Sequence, residues 1–211
     1  MLKKLLLALI VVWVAGASYV YYQSQQKPTD VYVATDTVGT GDMLSGDVVT
    51  TTAGDVFTTS SGAVLGWKAT KPGGFHTGTV VISEGTIAVE SGVINAGSFS
   101  FDMTSVQLLD MDNDKFEGEI RDDFFEAPTN PTSTFVITKT ENQWSGLVVY
   151  GDLTIKGVTQ AINFPATVTM NGNTVQFTAA FAIDRLLRGL TMWEGKVNNY
   201  LEFDFDLSLI K

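Results

Sequence analysis

From Tyr200 to Ile210 the chain reads YLEFDFDLSLI, with Leu201, Phe203, Phe205, Leu207 and Leu209 on one side and Glu202, Asp204, Asp206 and Ser208 on the other. A strict period of two separates apolar from polar side chains only on an extended strand; a helix would scatter both around its axis. The apolar face must then be covered by more structure of the same kind. NTVQFTAAFAID supplies it with Val175, Phe177, Ala179, Phe181 and Ile183 on one face, and AINFPATVTM with Ile162, Phe164, Ala166, Val168 and Met170. Asn171-Gly172 between those two segments is a tight-hairpin signal. Alternation recurs over 78–82, 86–90, 94–103, 134–139 and 144–155, and only 112–125 has a brief helical pattern. About eight strands with one apolar and one polar face imply an antiparallel barrel or sandwich.

The 211 residues suffice for one core, and one domain is expected. Thirteen basic residues stand against 23 acidic ones, and Lys3, Lys4 and Lys27 lie in an N-terminal stretch without acids, so the remainder is more acidic than the net −10 suggests. Such a surface repels phosphate backbones, which argues against nucleic acid as a partner. There is no cysteine, hence no disulfide framework and no thiol nucleophile.

MLKKLLLALIVVWVAGASYVYY begins with two lysines and continues as an apolar run. As a signal peptide it has an apolar region from Leu5 to Val14 and a cleavage site at Ala15-Gly16-Ala17. As an anchor it extends from Leu5 to Tyr22, about 27 Å of helix against a hydrocarbon core of about 30 Å, with Tyr19, Tyr21 and Tyr22 at the interface. Either way residues 1–22 place the body outside the cytoplasm, in a periplasmic or other extracytoplasmic space; retention as an anchor is favoured. Residues 23–52 are rich in Thr, Gly, Asp, Ser and Gln and read as a flexible linker with one weak strand at 31–33. Residues 53–211 form the expected barrel domain.

No catalytic constellation emerges. His76 is the single histidine and no G-x-S-x-G is present, so a Ser-His-Asp triad has no support. One histidine without cysteine leaves no zinc ligand set. Asp110-x-Asp112-x-Asp114 resembles the start of a calcium loop, yet Lys115 stands at its glycine position and Arg121 at its terminal glutamate, which excludes an EF-hand. The expectation is a protein that is not an enzyme and holds no metal or cofactor.

Five motifs in order resemble the YceI-like family, bacterial polyisoprenoid-binding proteins with a lipocalin-like barrel. They are Trp67-Lys68 with His76-x-Gly78; Gly97-x-Phe99-x-Phe101-Asp102-Met103; Asp123-Phe124-Phe125 with Pro131 and Phe135; Leu153-Thr154-Ile155-Lys156-Gly157-Val158-Thr159; and Ile183-Asp184-Arg185-x-x-x-Gly189-Leu190. Two positions depart from the family pattern: Glu119, where a histidine is common, and Arg188, where an aromatic is usual. The resemblance implies an all-β, antiparallel, lipocalin-like barrel of about eight strands with a short helix, preceded by the N-terminal hydrophobic helix. It also implies an apolar tunnel for an isoprenoid or similar long-chain lipid, such as an isoprenoid quinone or polyprenyl species. Phe99, Phe101, Leu147, Val149, Phe164, Phe177, Phe181, Phe203 and Phe205 are the expected lining, and His76, Arg185 and Arg188 the head-group candidates. The expected partners are that lipid, the membrane through an uncleaved N-terminal segment, and a second copy of the chain as a candidate homodimer. The competing reading is a tethered interaction barrel whose interior is filled by its own side chains.

Overall fold

Period-two alternation becomes strand pairing in the computed structural model, which describes residues 17–18, 21–36, 54–143 and 146–211. In chain order the elements are β1 (Tyr32–Val33), β2 (Thr35–Asp36), β3 (Asp55–Thr59), β4 (Val64–Lys71), β5 (Gly74–Glu90), β6 (Val93–Leu108) and the short helix α1 (Asp114–Gly118). A π-helical turn (Glu119–Phe124), β7 (Thr132–Gln143), β8 (Gly146–Ile155), β9 (Val158–Asn171), β10 (Thr174–Asp184), a 3-10 turn (Leu186–Arg188) and β11 (Tyr200–Ile210) follow. Each strand from β4 to β11 is antiparallel to the next, and β11 returns to β4 through Leu201↔Ala69 and Phe205↔Leu65. That return closes an eight-stranded barrel and leaves the ring without a free edge. β3 continues the β4 position at the far end, between β11 and β5.

The segments 78–82 and 86–90, expected as separate strands, belong to the single long strand β5. Its pairing with β6 shifts register between Thr79 and Val81, between Ile82 and Glu84, and between Ala88 and Val89. The shift between Ile82 and Glu84 leaves Ser83 unpaired, so the side-chain alternation slips around Ser83-Glu84-Gly85 and reads as a break.

Connections β4–β5, β6–β7, β8–β9 and β10–β11 gather at one end of the barrel, the mouth. The β6–β7 connection carries α1, whose first turn is fixed by Asn113: its side-chain oxygen accepts from the Phe116 N–H at 3.1 Å. The β8–β9 connection is Lys156-Gly157, with φ of 53° and 73°. Two consecutive positive φ values make the tight hairpin turn that matches strand twist, and glycine adopts the second at no steric cost.

Within the expected spacer, residues 32–36 lie in the barrel wall. β9 and β10 pair directly only from Thr174↔Asn171 to Thr178↔Thr167. Pro165, which has no N–H to offer a ladder, follows where that pairing has stopped. Beyond it β1 runs parallel to β10 and β2 antiparallel to β9, with Ala34 between them buried in the core. The 37–52 part of the expected spacer and most of the expected anchor fall outside the described residues. Among the described residues no helix is long and apolar enough to cross a membrane.

Candidate functional site

The inward faces of the strands form two cavities that share Trp67 and Phe125. The outer one, of ≈ 220 Å³, lies at the mouth between the β4–β5 hairpin (Ala69, Lys71, His76), the α1–π-turn segment (Phe116, Ile120, Phe124) and the β10–β11 loop (Trp193, Lys196, Val197). The inner chamber is narrower, ≈ 30 Å³, and is walled by residues that include Leu65, Val80, Met103, Val106, Leu153 and Ile155. No charged side chain lines the inner chamber. Below it aromatic side chains pack against one another in the barrel interior. Phe164 stacks on Phe181 with ring centroids 4.1 Å apart, and Phe99 meets Phe177 at 6.3 Å and Phe205 at 6.1 Å.

The aromatic wall of the mouth is assembled from distant parts of the chain. Phe124 stacks on Trp193 at 5.8 Å with an interplanar angle of 15°, and Phe116 approaches Trp193 at 5.7 Å and His76 at 4.9 Å. The Asp123-Phe124-Phe125 motif, at the end of the π turn, supplies Phe124 to this wall and Phe125 to both cavities. The loops over the mouth are tied together by Lys156. Its Nζ pairs with the Glu126 carboxylate at 2.6 Å and donates to the Gly189 carbonyl at 3.1 Å.

Of the nine residues expected to line a tunnel, Phe101, Phe181, Phe203 and Phe205 line the inner chamber. Phe99, Val149, Phe164 and Phe177 are buried in the packed core beneath it. Leu147 lies at the opposite end, on a groove with Ile94 and Val168. Alternation separates inside from outside in all of these, but it carries no information on depth along the barrel axis.

The head-group candidates divide in the same way. His76 is at the mouth with both nitrogens engaged: Nδ1 lies 2.9 Å from an Asp110 carboxylate oxygen and Nε2 2.7 Å from Lys71 Nζ. Lysine only donates, so in this arrangement Nε2 accepts from Lys71 and Nδ1 is the side that faces Asp110. Burial alone would raise Asp110, but the Thr77 backbone N–H and His76 outweigh it and hold the carboxyl below its usual value. Arg185 is only 1% exposed and lines neither cavity. Its Nε donates to Asn198 O at 2.9 Å and its terminal nitrogens to the carbonyls of Leu190, Met192 and Val197. Arg188, fully buried, donates to Asp184 O at 2.7 Å and pairs with Asp36 at 2.6 Å. Both arginines hold loops in place, and neither is free to meet a head group. Glu202, on the polar side of the alternating pattern, is largely buried and paired with Lys68 at 3.0 Å.

The sequence did not single out Lys71, Phe116, Trp193 and Lys196 at the mouth, or Ser133 in the chamber. Ser133 was detectable in principle: on a strand whose inward positions are otherwise Phe135 and Ile137, it is the polar exception.

Among the described residues no group of side chains is arranged to hold a metal ion. A model of the YceI-like domain matches residues 45–209 of the chain. No curated protein matches it. Among solved structures, the chain is similar to a polyisoprenoid binding domain from Saccharophagus degradans implicated in plant cell wall breakdown, at 16% identity over 75% of this chain and 99% of that one, with a TM-score of 0.59. It is also similar to Burkholderia cenocepacia BcnA, at 19% identity over 71% of this chain and 96% of that one, with a TM-score of 0.54. At these identities the likeness is one of fold.

Proposed function

The chain belongs to the YceI-like domain family, and from that premise we propose that it is a non-catalytic carrier of an isoprenoid or similar long-chain lipid, working outside the cytoplasm. The observation that carries this reading is the pair of apolar cavities that share Trp67 and Phe125 and lead from the mouth toward the barrel centre. The polyisoprenoid-binding neighbour supports it through a common fold. The chemistry required is burial alone: at about 0.8 kcal/mol per CH₂, a five-carbon unit contributes up to about 3–4 kcal/mol before ordering costs, so a few units suffice without any catalytic group. The narrow chamber implies that a tail enters by displacing side chains, with Phe125, common to both cavities, the first in its path. The lysine-flanked apolar run at 5–22 supports export of the chain and, uncleaved, its attachment to the membrane.

The same narrowness, with the phenylalanine stack beneath it, favours the second reading, a barrel filled by its own side chains that acts through its surface. Native mass spectrometry of the full chain purified in mild detergent from its source, followed by organic extraction, separates the two. The carrier reading predicts a co-purifying long-chain lipid, or uptake of isoprenoid quinones by the stripped protein. A protein that carries none and accepts none is the packed barrel.

A further inference from the structure

Residues 23–26, expected as the start of a flexible linker, are fastened to the barrel. The Asn199 N–H donates to Ser24 O at 2.7 Å, the Asn199 side-chain amide to Gln25 Oε1 at 2.9 Å, and the Asn198 side-chain amide to Gln26 O at 2.9 Å. Ser24 is buried, and its hydroxyl donates to Tyr21 O at 2.7 Å. A Cβ on Gly195, in the same β10–β11 connection, would touch the Tyr21 ring. That connection borders the mouth, so the N-terminal segment joins the barrel at its mouth. From Tyr22 to Ser24 is two residues, at most about 7 Å of chain. A membrane-spanning run that ends at Tyr22 therefore brings the bilayer surface to the mouth instead of holding the barrel off on a spacer.

The rim of that mouth suits such a surface. Phe75 on the β4–β5 hairpin and Leu187 on the β10–β11 connection are each at least half exposed, as are Tyr21 and Tyr22. Large apolar side chains gain by leaving water, and tyrosine rings settle at the bilayer interface. Charge on this side is close to balanced, in a chain with 23 acidic and 13 basic residues. Lys27, Lys71 and Lys196 stand against Asp30 and Glu194, while Lys68 and Glu202 pair with each other. The acids Asp112, Asp114, Asp122 and Asp123 lie instead in the β6–β7 connection, a side expected to tilt away from anionic lipid. We propose that the barrel sits mouth-down on a lipid bilayer, with Phe75, Leu187, Tyr21 and Tyr22 in its surface; this rests on the reading of 5–22 as an uncleaved membrane segment. The mouth cavity then opens onto the bilayer, and a long apolar ligand passes between the two without crossing water.

The chain has no cysteine, so a single introduced one takes a label alone. Gly74→Cys and Thr191→Cys place an environment-sensitive fluorophore on the mouth rim, and Asn173→Cys places it at the far end. All three positions are exposed, and a Cβ at Gly74 meets nothing within 4 Å. The full chain is reconstituted into vesicles of phosphatidylethanolamine and phosphatidylglycerol that carry a nitroxide lipid. Both rim labels are expected to shift to the blue and to be quenched by the nitroxide, and the Asn173 label to do neither. With Phe75→Ser and Leu187→Ser added to the Thr191→Cys chain, the blue shift is expected to shrink while the chain stays bound. Rim labels as water-exposed as the Asn173 label, equal quenching at both ends, a shift indifferent to the two serines, or a chain that does not stay with the vesicles overturns the docking and leaves lipid carriage intact. Carriage is read separately, by organic extraction of the purified chain: rim labels that respond in a chain that carries no lipid and accepts none remove the carrier reading and leave the docking.

Discussion

At the end of β10, Arg185 brings backbone from four later residues to a single guanidinium, and the planar fork of arginine is what allows one side chain to donate to them all. Burial pushes its pKa below the ordinary guanidinium value, while the negative charges of Glu194 and Asp184 act in the opposite direction. The Phe124 ring lies 5.7 Å from the guanidinium carbon, so the same residue braces the aromatic wall of the mouth. Arg185→Met is expected to lower stability by about 3 kcal/mol, seen as a lower urea midpoint at unchanged m-value, with Arg185→Lys recovering only part. The residue itself was visible in the sequence as the arginine of a recurring turn motif. Its role was not, because its acceptors are main-chain carbonyls, and side-chain identity does not encode where the backbone of residues 190–198 runs.

Among the elements, β1 and β2 do most to change the picture, since the sequence treats them as part of a linker. They occupy the opening where β9 and β10 separate, with the Ala34 N–H donating to Ala182 O at 2.8 Å. Just before them the chain crosses the β10–β11 loop, where the Asn199 N–H donates to Ser24 O at 2.7 Å and Asn198 Nδ2 to Gln26 O at 2.9 Å. The fully buried Arg188 depends on Asp36 from β2 for its counter-charge. Asp36→Ala therefore leaves a buried cation unpaired and is expected to cost about 3 kcal/mol, with faster amide exchange at Phe181 and Ala182. Wild-type-like exchange there would show that the opening is held by other contacts. The weak strand signal at 31–33 was legible; its partners were not, as two-residue strands carry too few alternating positions to specify a register. Lys156-Gly157 was visible in the sequence as the centre of the fourth motif, and the structure adds that its lysine ties two mouth loops together.

For the molecule as a whole, the proposed carrier role predicts that the stability of the barrel depends on what fills its chamber. A lipid that binds only the folded chain, at 100 times its Kd, adds about 2.7 kcal/mol. For a chain of this size that is a rise in Tm of roughly 5–10 °C, measurable by thermal melts of stripped and reloaded protein. An unchanged Tm under saturating isoprenoid lipid would speak for the filled barrel. The sequence by itself determined the all-β class, the inward and outward faces of the regular strands β9, β10 and β11, and the family. These follow from a period-two pattern and from turn residues whose backbone preferences are local. Tertiary structure alone decided which inward side chains meet the chamber and which pack beneath it, that both arginines are engaged by the protein itself, and that residues 32–36 complete the wall. Those outcomes depend on ring closure, which brings residues more than a hundred positions apart to the same depth on the barrel axis, as it does for Trp67 and Phe203.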